Sequence, residues 1–227
     1  MEMEMTLPDV VPVMTLPNTA LFPQALMPLH IFEPRYRRML RDVLVSDRLF
    51  AVAGLNLREI CEAGFAEPPH RVATVGIVRA CQKNDNGTSN LLLQGLCRIE
   101  IVEITRDEPY RRIRVRALAS TAGAMEVENQ ALRKELARLI RLKAKLAARK
   151  SEDLVAFLKT VEDPETFADI AAFSLCEDIE LKQQLLETLD VHRRMQLLAG
   201  SFRADIDRLK LCRRLQGGLP DDQISHN

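Results

Sequence analysis

The sequence has no tryptophan and two tyrosines among 227 residues, with aromatics at 4% in all. No row of rings is evident on which unpaired bases could stack. Net charge is also lacking, at 32 basic and 32 acidic residues. The balance holds along the chain: 15 against 14 up to residue 118, then 17 against 18. Nothing in it supports nucleic acid as the main partner. The five cysteines (Cys61, Cys81, Cys97, Cys176 and Cys212) form no CxxC, and their odd number and wide spacing argue against a disulfide scaffold. No apolar run approaches the ~18 residues of a membrane span. The start, Met1 to Met5 with Glu2 and Glu4, has neither the positive charge nor the apolar core of a secretory signal. A soluble cytoplasmic protein with no membrane association is the expectation.

Chemistry-bearing motifs are missing as well. His30, His70, His192 and His226 make no HExxH and no zinc-type cluster, and there is neither a GxSxG elbow nor a Walker A phosphate loop. His30 lies in an apolar stretch and reads as a packed or surface histidine, and His192 beside Arg193 and Arg194 as part of a solvated helix face. Neither an enzyme nor a cofactor or metal site is expected.

What is present changes period near residue 120. Val10–Leu16, Ala25–Phe32, Leu49–Leu55, Val72–Cys81, Leu91–Gln94, Cys97–Thr105 and Arg111–Leu118 are short and apolar or alternating, with turn signals between them. Ile113, Val115 and Ala117 alternate with Arg112, Arg114 and Arg116, which gives one packed and one solvated face. Asn86-Gly87-Thr88 formally matches a glycosylation sequon and reads as part of a hairpin loop. Pro34 opens a helix to about Val45, with Tyr36, Met39, Leu40 and Val43 as its packed stripe. From 122 to 213 the pattern is helical. Leu132, Leu136, Leu139, Ile140 and Leu146 mark the first helix, while Ser151, Asp163-Pro164 and Asp190 are start signals for later ones. The last carries Val191, Met195, Leu198, Phe202, Ile206 and Leu209, and Gly217 to Pro220 stop it. The expected fold class is α+β: residues 1–120 β-rich, 121–216 an α-helical bundle, and 217–227 a flexible tail.

The candidate site is apolar. Pro17, Pro23, Pro28 and Pro34 fall within eighteen residues and interrupt backbone pairing, which makes irregular edges and clefts where an extended apolar chain can lie. Leu21, Phe22, Pro23, Met27, Phe32 and Tyr36 are the candidate polypeptide-binding residues. The competing reading of each is closure of the sheet core.

The run Leu16 to Leu40, then Val72–Val78, Leu93-Gln94-Gly95-Leu96-Cys97-Arg98 and Asp163–Leu198, resembles in order the N-terminal substrate-binding domain of ATP-dependent Lon proteases. It is most similar to the bacterial proteins that consist of this domain alone. The resemblance implies a PUA-like twisted β pseudobarrel with a short helix, followed by a helical bundle. It also implies recognition of unfolded polypeptide, a part in assembly, and relatives outside proteases such as a ubiquitin-ligase substrate receptor. No Walker motif or protease segment accompanies it, so neither ATPase nor peptidase activity is implied. Expected partners are unfolded or extended polypeptide, or one specific protein, with the chain a monomer or a weak homo-oligomer. Beside the candidate polypeptide-binding residues, Arg98 reads as structural, fixing a loop, and two alternatives stay open: RNA binding through the arginines at 111–116, and a regulatory or oligomerisation role.

Overall fold

The computed structural model describes residues 7–59, 67–147 and 152–216. Cys61, the Ser151 cap, the Gly217–Pro220 stop, His226 and the tail expected over 217–227 lie outside them.

Six strands form one sheet: β1 (Val10–Leu16), β2 (Leu26–Ile31), β3 (Leu49–Gly54), β4 (Val72–Lys83), β5 (Ser89–Arg106) and β6 (Arg112–Leu118). Their order is β2-β5-β4-β3-β1-β6, and β5 pairs with β6 as well. The ring β1-β3-β4-β5-β6 therefore closes on itself, and β2 lies outside it, with β5 its one strand neighbour among the described residues. The closure rests on the length of β5. β4 pairs along it from Ser89 to Glu100, while β2 takes Ser89–Gln94 and β6 takes Arg98–Arg106. Only β1 and β3 run parallel. Val11, Val13, Ala51, Val75, Ile99 and Ile113 are among the side chains that fill the ring, each valine or isoleucine contributing about 1.5–3 kcal/mol of transfer free energy.

The segments expected as two strands, Leu91–Gln94 and Cys97–Thr105, are one strand. Gly95 reads as a break, yet the chain stays extended there. Asn84 and Thr88 close the β4–β5 hairpin (Asn84 N–H to Thr88 O, 2.9 Å), with Gly87 at φ +78° in the left-handed region. The sequon is thus a tight turn. Helix α1 (Pro34–Leu44) buries the anticipated stripe Tyr36, Met39, Leu40 and Val43.

Among the described residues five further helices follow: α2 (Glu126–Ala147), α3 (Glu152–Thr160), α4 (Pro164–Leu175), α5 (Ile179–Glu187) and α6 (Val191–Gln216). Residues 57–59 add a helical turn. Two compact units result. Met1–Thr121 group with Asp169–Leu189, and Ala122–Ala168 with Asp190–Asn227. The second half of α4 and all of α5 thus belong with the sheet.

In the other unit α2 and α6 are parallel, because successive contacts advance along both: Asn129 to His192, Glu135 to Arg203, Lys143 to Asp205, and Lys145 to Arg213. Asp190 caps α6, its Oδ1 accepting from Arg193 N–H at 2.8 Å. Asp163 caps α4 through Thr166 N–H at 2.8 Å. His192 is half-buried and bonds Asn129 Oδ1 through Nδ1 at 2.8 Å. It is therefore anchored across the α2–α6 contact rather than standing free on a solvated face, and Asn129 itself is fixed on Ala122 O at 2.9 Å. No helix among the described residues is long and apolar enough to cross a membrane.

Candidate functional site

The proline-interrupted segment from Pro17 to Pro34 wraps against β4 and β5. Two glycines make its close approach feasible. A Cβ on Gly95 would stand 2.0 Å from the Phe22 carbonyl oxygen, and one on Gly54 would stand 2.8 Å from that of Thr19. Gln24 N–H donates to Gly95 O and Gly95 N–H to Ala25 O, both at 2.9 Å. Thr74 Oγ1 donates to Leu21 O at 2.6 Å. The Tyr36 hydroxyl sits 3.3 Å from both Thr15 N and Thr15 O, and burial pushes its phenol up from the ordinary tyrosine range.

Four of the six candidate residues point inward. Leu21, Phe22, Met27 and Tyr36 are buried, Pro23 is half-buried, and Phe32 is 61% exposed. Burial removes the first four from direct contact with a docked chain and makes them the support of the segment. The outward face belongs to residues that the sequence reading passed over. Leu26 (51% exposed), Pro28 and His30 alternate along β2 and lead to Phe32, whose ring lies 6.0 Å from that of His30. The signal was there as an alternating pattern, Leu26-x-Pro28-x-His30-x-Phe32, with the buried Met27 and Ile31 in register between.

Among the described residues, the edge of β2 away from β5 has no strand partner. Gly95 N–H bonds Ala25 O, so the antiparallel alternation turns residues 27, 29 and 31 toward β5 and the backbone groups of 26, 28 and 30 outward. The free edge thus presents the amides of Leu26 and His30 and three carbonyls, while Pro28 contributes no donor. His30 Nδ1 is held on Asn90 Oδ1 at 2.7 Å.

Arg98 is 2% exposed and lies beneath this segment, its guanidinium carbon 5.9 Å from the centre of the Phe22 ring. It makes a two-pronged bridge to Asp169 (Nη1–Oδ2 2.8 Å, Nη2–Oδ1 2.6 Å), and its Nε donates to Leu186 O at 3.1 Å. Asp169 is 1% exposed. Gly95 and Arg98, three residues apart on β5, thus do different work: the first admits the Phe22 backbone, and the second ties α4 and α5 to the barrel.

The exposed arginines of β6 already have counter-ions. Arg114 meets Glu103 at 2.6 Å, Arg116 bonds Glu100, and Arg71 reaches the same carboxylate at 2.7 Å. Arg116 foremost, with Arg71, holds the Glu100 carboxyl below its usual range. Arg111 is fixed on Asp107 at 2.7 Å and on Glu67 O at 2.6 Å. Cys97 lies on β5, where burial pushes its thiol up and away from the nucleophilic thiolate. Among the described residues no three His, Cys, Asp or Glu side chains converge as a metal site.

The sequence model of the family described as "ATP-dependent protease La (LON) substrate-binding domain" matches residues 10–200. The chain is 28% identical over 218 residues to a Lon protease of Syntrophus aciditrophicus, covering 95% of this chain and 28% of that one. For a Lon protease of Dictyoglomus thermophilum the figures are 27%, 95% and 27%. It therefore spans little more than a quarter of the length of these relatives. Among solved structures, the N-terminal domain of a Mycobacterium avium complex Lon protease superposes with a TM-score of 0.68 at 19% identity, over 86% of this chain and 98% of that one. A Lon N-terminal domain protein from Xanthomonas campestris gives 0.62 at 20% identity, over 84% and 97%. At that identity these two structures bear on the fold alone.

Proposed function

The chain belongs to the Lon substrate-binding domain family, and from that premise we propose that it binds extended, apolar-rich polypeptide at the free edge of β2, as an adaptor or chaperone-like module without ATPase or protease activity of its own. The observation that carries this reading is the exposed row Leu26, Pro28 and Phe32 beside an unpaired strand edge. Backbone groups of an extended chain bond to such an edge whatever their sequence, and apolar side chains at alternate positions supply the favourable transfer energy, about 25 cal/mol per Å² removed from water. Pro28 removes one donor from the middle of the edge, which keeps two copies of the protein from zipping edge to edge. A client with its own unpaired donors and acceptors still finds those of Leu26 and His30.

The ion pairs of Arg114 and Arg116 weigh against RNA, since a phosphate would have to displace a carboxylate at each. The absence of a phosphate loop and of a nucleophile elbow from the sequence supports a binding role over a hydrolytic one.

The test is fluorescence anisotropy of a labelled, permanently unfolded polypeptide titrated with the protein, with its folded counterpart and a short RNA as controls. Saturable binding of the unfolded chain alone, weakened when Leu26→Ser and Phe32→Ser are combined, is the expected result. Both side chains are exposed, so the variant keeps its fold. Binding of the RNA alone, or of the folded control equally well, contradicts the proposal.

A further inference from the structure

A second surface lies in the other compact unit, at the end where α2 and α6 finish side by side. Arg213 Nη2 donates to Lys145 O at 3.2 Å, so these two C-termini are neighbours. Residues 138–147 and 207–216 together carry eight lysines or arginines and one carboxylate, Asp207. Asp205, just before, accepts from Lys143 at 2.6 Å and from Arg208 at 3.0 Å, and Asp207 lies 3.8 Å from Lys210. Arg138, Arg141 and Arg214 have no carboxylate partner among the described residues.

Helix dipoles do not account for so much charge. Two C-termini present roughly one negative charge between them, so with the two aspartates about five positive charges remain in excess. The whole chain is neutral, which makes this end a local positive field on a molecule that has no net one. Apolar side chains stand among the cations. Leu211 and Leu215, 57% and 72% exposed, are one turn apart on α6 with Arg208 on the same face below them, and Leu142 is exposed on α2.

We propose that this end of the α2–α6 pair docks an acidic amphipathic helix of a protein partner. The partner's leucine-type seam lies on Leu211 and Leu215, and its flanking carboxylates pair with Arg141 and Arg214. The charge excess selects an anion, and the leucines select one that carries apolar groups at helical spacing, as in coiled coils whose seam residues pack while flanking charges set the choice of partner. Nucleic acid satisfies the charge but has no use for the leucines. A membrane surface needs a continuous apolar face, and here Arg208 and Asp207 interrupt it. The site is separate from the β2 edge and does not depend on the client-binding proposal.

The experiment titrates the full chain into a labelled helical peptide of leucine and glutamate in heptad order. Its controls are the same peptide with lysine for glutamate, phosphatidylserine vesicles and single-stranded RNA. The glutamate peptide binds and the lysine peptide does not. Combined R141E and R214E weakens binding by about tenfold or more and makes what remains less sensitive to salt. L211S with L215S, which leaves every charge in place, also weakens it, and circular dichroism verifies that both variants keep their helix content. Equal binding of the two peptides, preference for vesicles or RNA, or full binding by the L211S/L215S protein overturns the proposal.

Discussion

Replacing Arg98 with methionine removes the guanidinium but keeps most of the side-chain length. Asp169, 1% exposed, is then a buried carboxylate without its two-pronged partner, and Leu186 O loses a donor at 3.1 Å. Breaking a buried pair from one side costs about 3–5 kcal/mol, and the bereft carbonyl puts the loss at the upper end of that range. For a domain of this size, each kcal/mol lowers the melting temperature by about 2–4 °C, so the variant should melt ~10–20 °C early. Replacing both partners, Arg98→Met with Asp169→Leu, removes the stranded charge and should restore most of the loss, since such pairs repay little more than their own desolvation. Urea and thermal unfolding followed by circular dichroism read all three proteins. Tyrosine emission reports the sheet unit separately, because both tyrosines, Tyr36 and Tyr110, are in it. The reasoning is refuted if Arg98→Met costs under ~1 kcal/mol, or if the double variant is no more stable than the single one.

Gly95→Ala should destabilise by about 1–3 kcal/mol, because its Cβ meets the Phe22 carbonyl at 2.0 Å, whereas Gly200→Ala, with nothing within 4 Å in the exposed face of α6, should gain close to 1 kcal/mol; melting temperatures of the two distinguish them. Asp178→Ala removes the acceptor of Glu180 and Leu181 N–H at the start of α5 and should cost about 1 kcal/mol in urea unfolding. Burial pulls the His70 pKa below its ordinary 6.5, so the unfolded chain takes up a proton first as pH falls. Stability from the neutral imidazole is therefore full above pH 6.5 and lost as pH drops toward the lower, folded value. His70→Gln should flatten the stability–pH curve in that window and leave it unchanged above.

Period and turn chemistry made much of the architecture legible. β1 and the stripe of α1 follow from alternation and from Tyr36, Met39, Leu40 and Val43 at helical spacing, and the caps at Asp163 and Asp190 follow from residue type alone. Ring closure was legible only through the family resemblance and not in the local pattern, because it depends on β5 having different partners along its length, and β5 read as two strands with a gap at Gly95 and Leu96. The attachment of α5 to the sheet unit was equally hidden. It rests on Arg98, whose Nε donates to Leu186 O 88 positions away on α5 while its guanidinium holds Asp169 on α4, 71 positions away, and no local pattern joins such residues. In the candidate site the proline-broken segment has no steady period, so nothing local separated the buried Leu21 and Phe22 from the exposed Phe32. Only within β2, where alternation resumes, does the sequence distinguish Leu26 from Met27.

The central claim is that an extended client lies along the free edge of β2. Amide NMR of the isotope-labelled protein, with and without a permanently unfolded polypeptide, tests it most directly. The predicted result is that the Leu26 and His30 amides, together with the neighbouring Phe32, shift and gain protection from solvent exchange, while β6 and the C-terminal ends of α2 and α6 stay unchanged. Client-induced shifts that leave β2 untouched and gather elsewhere would contradict the account.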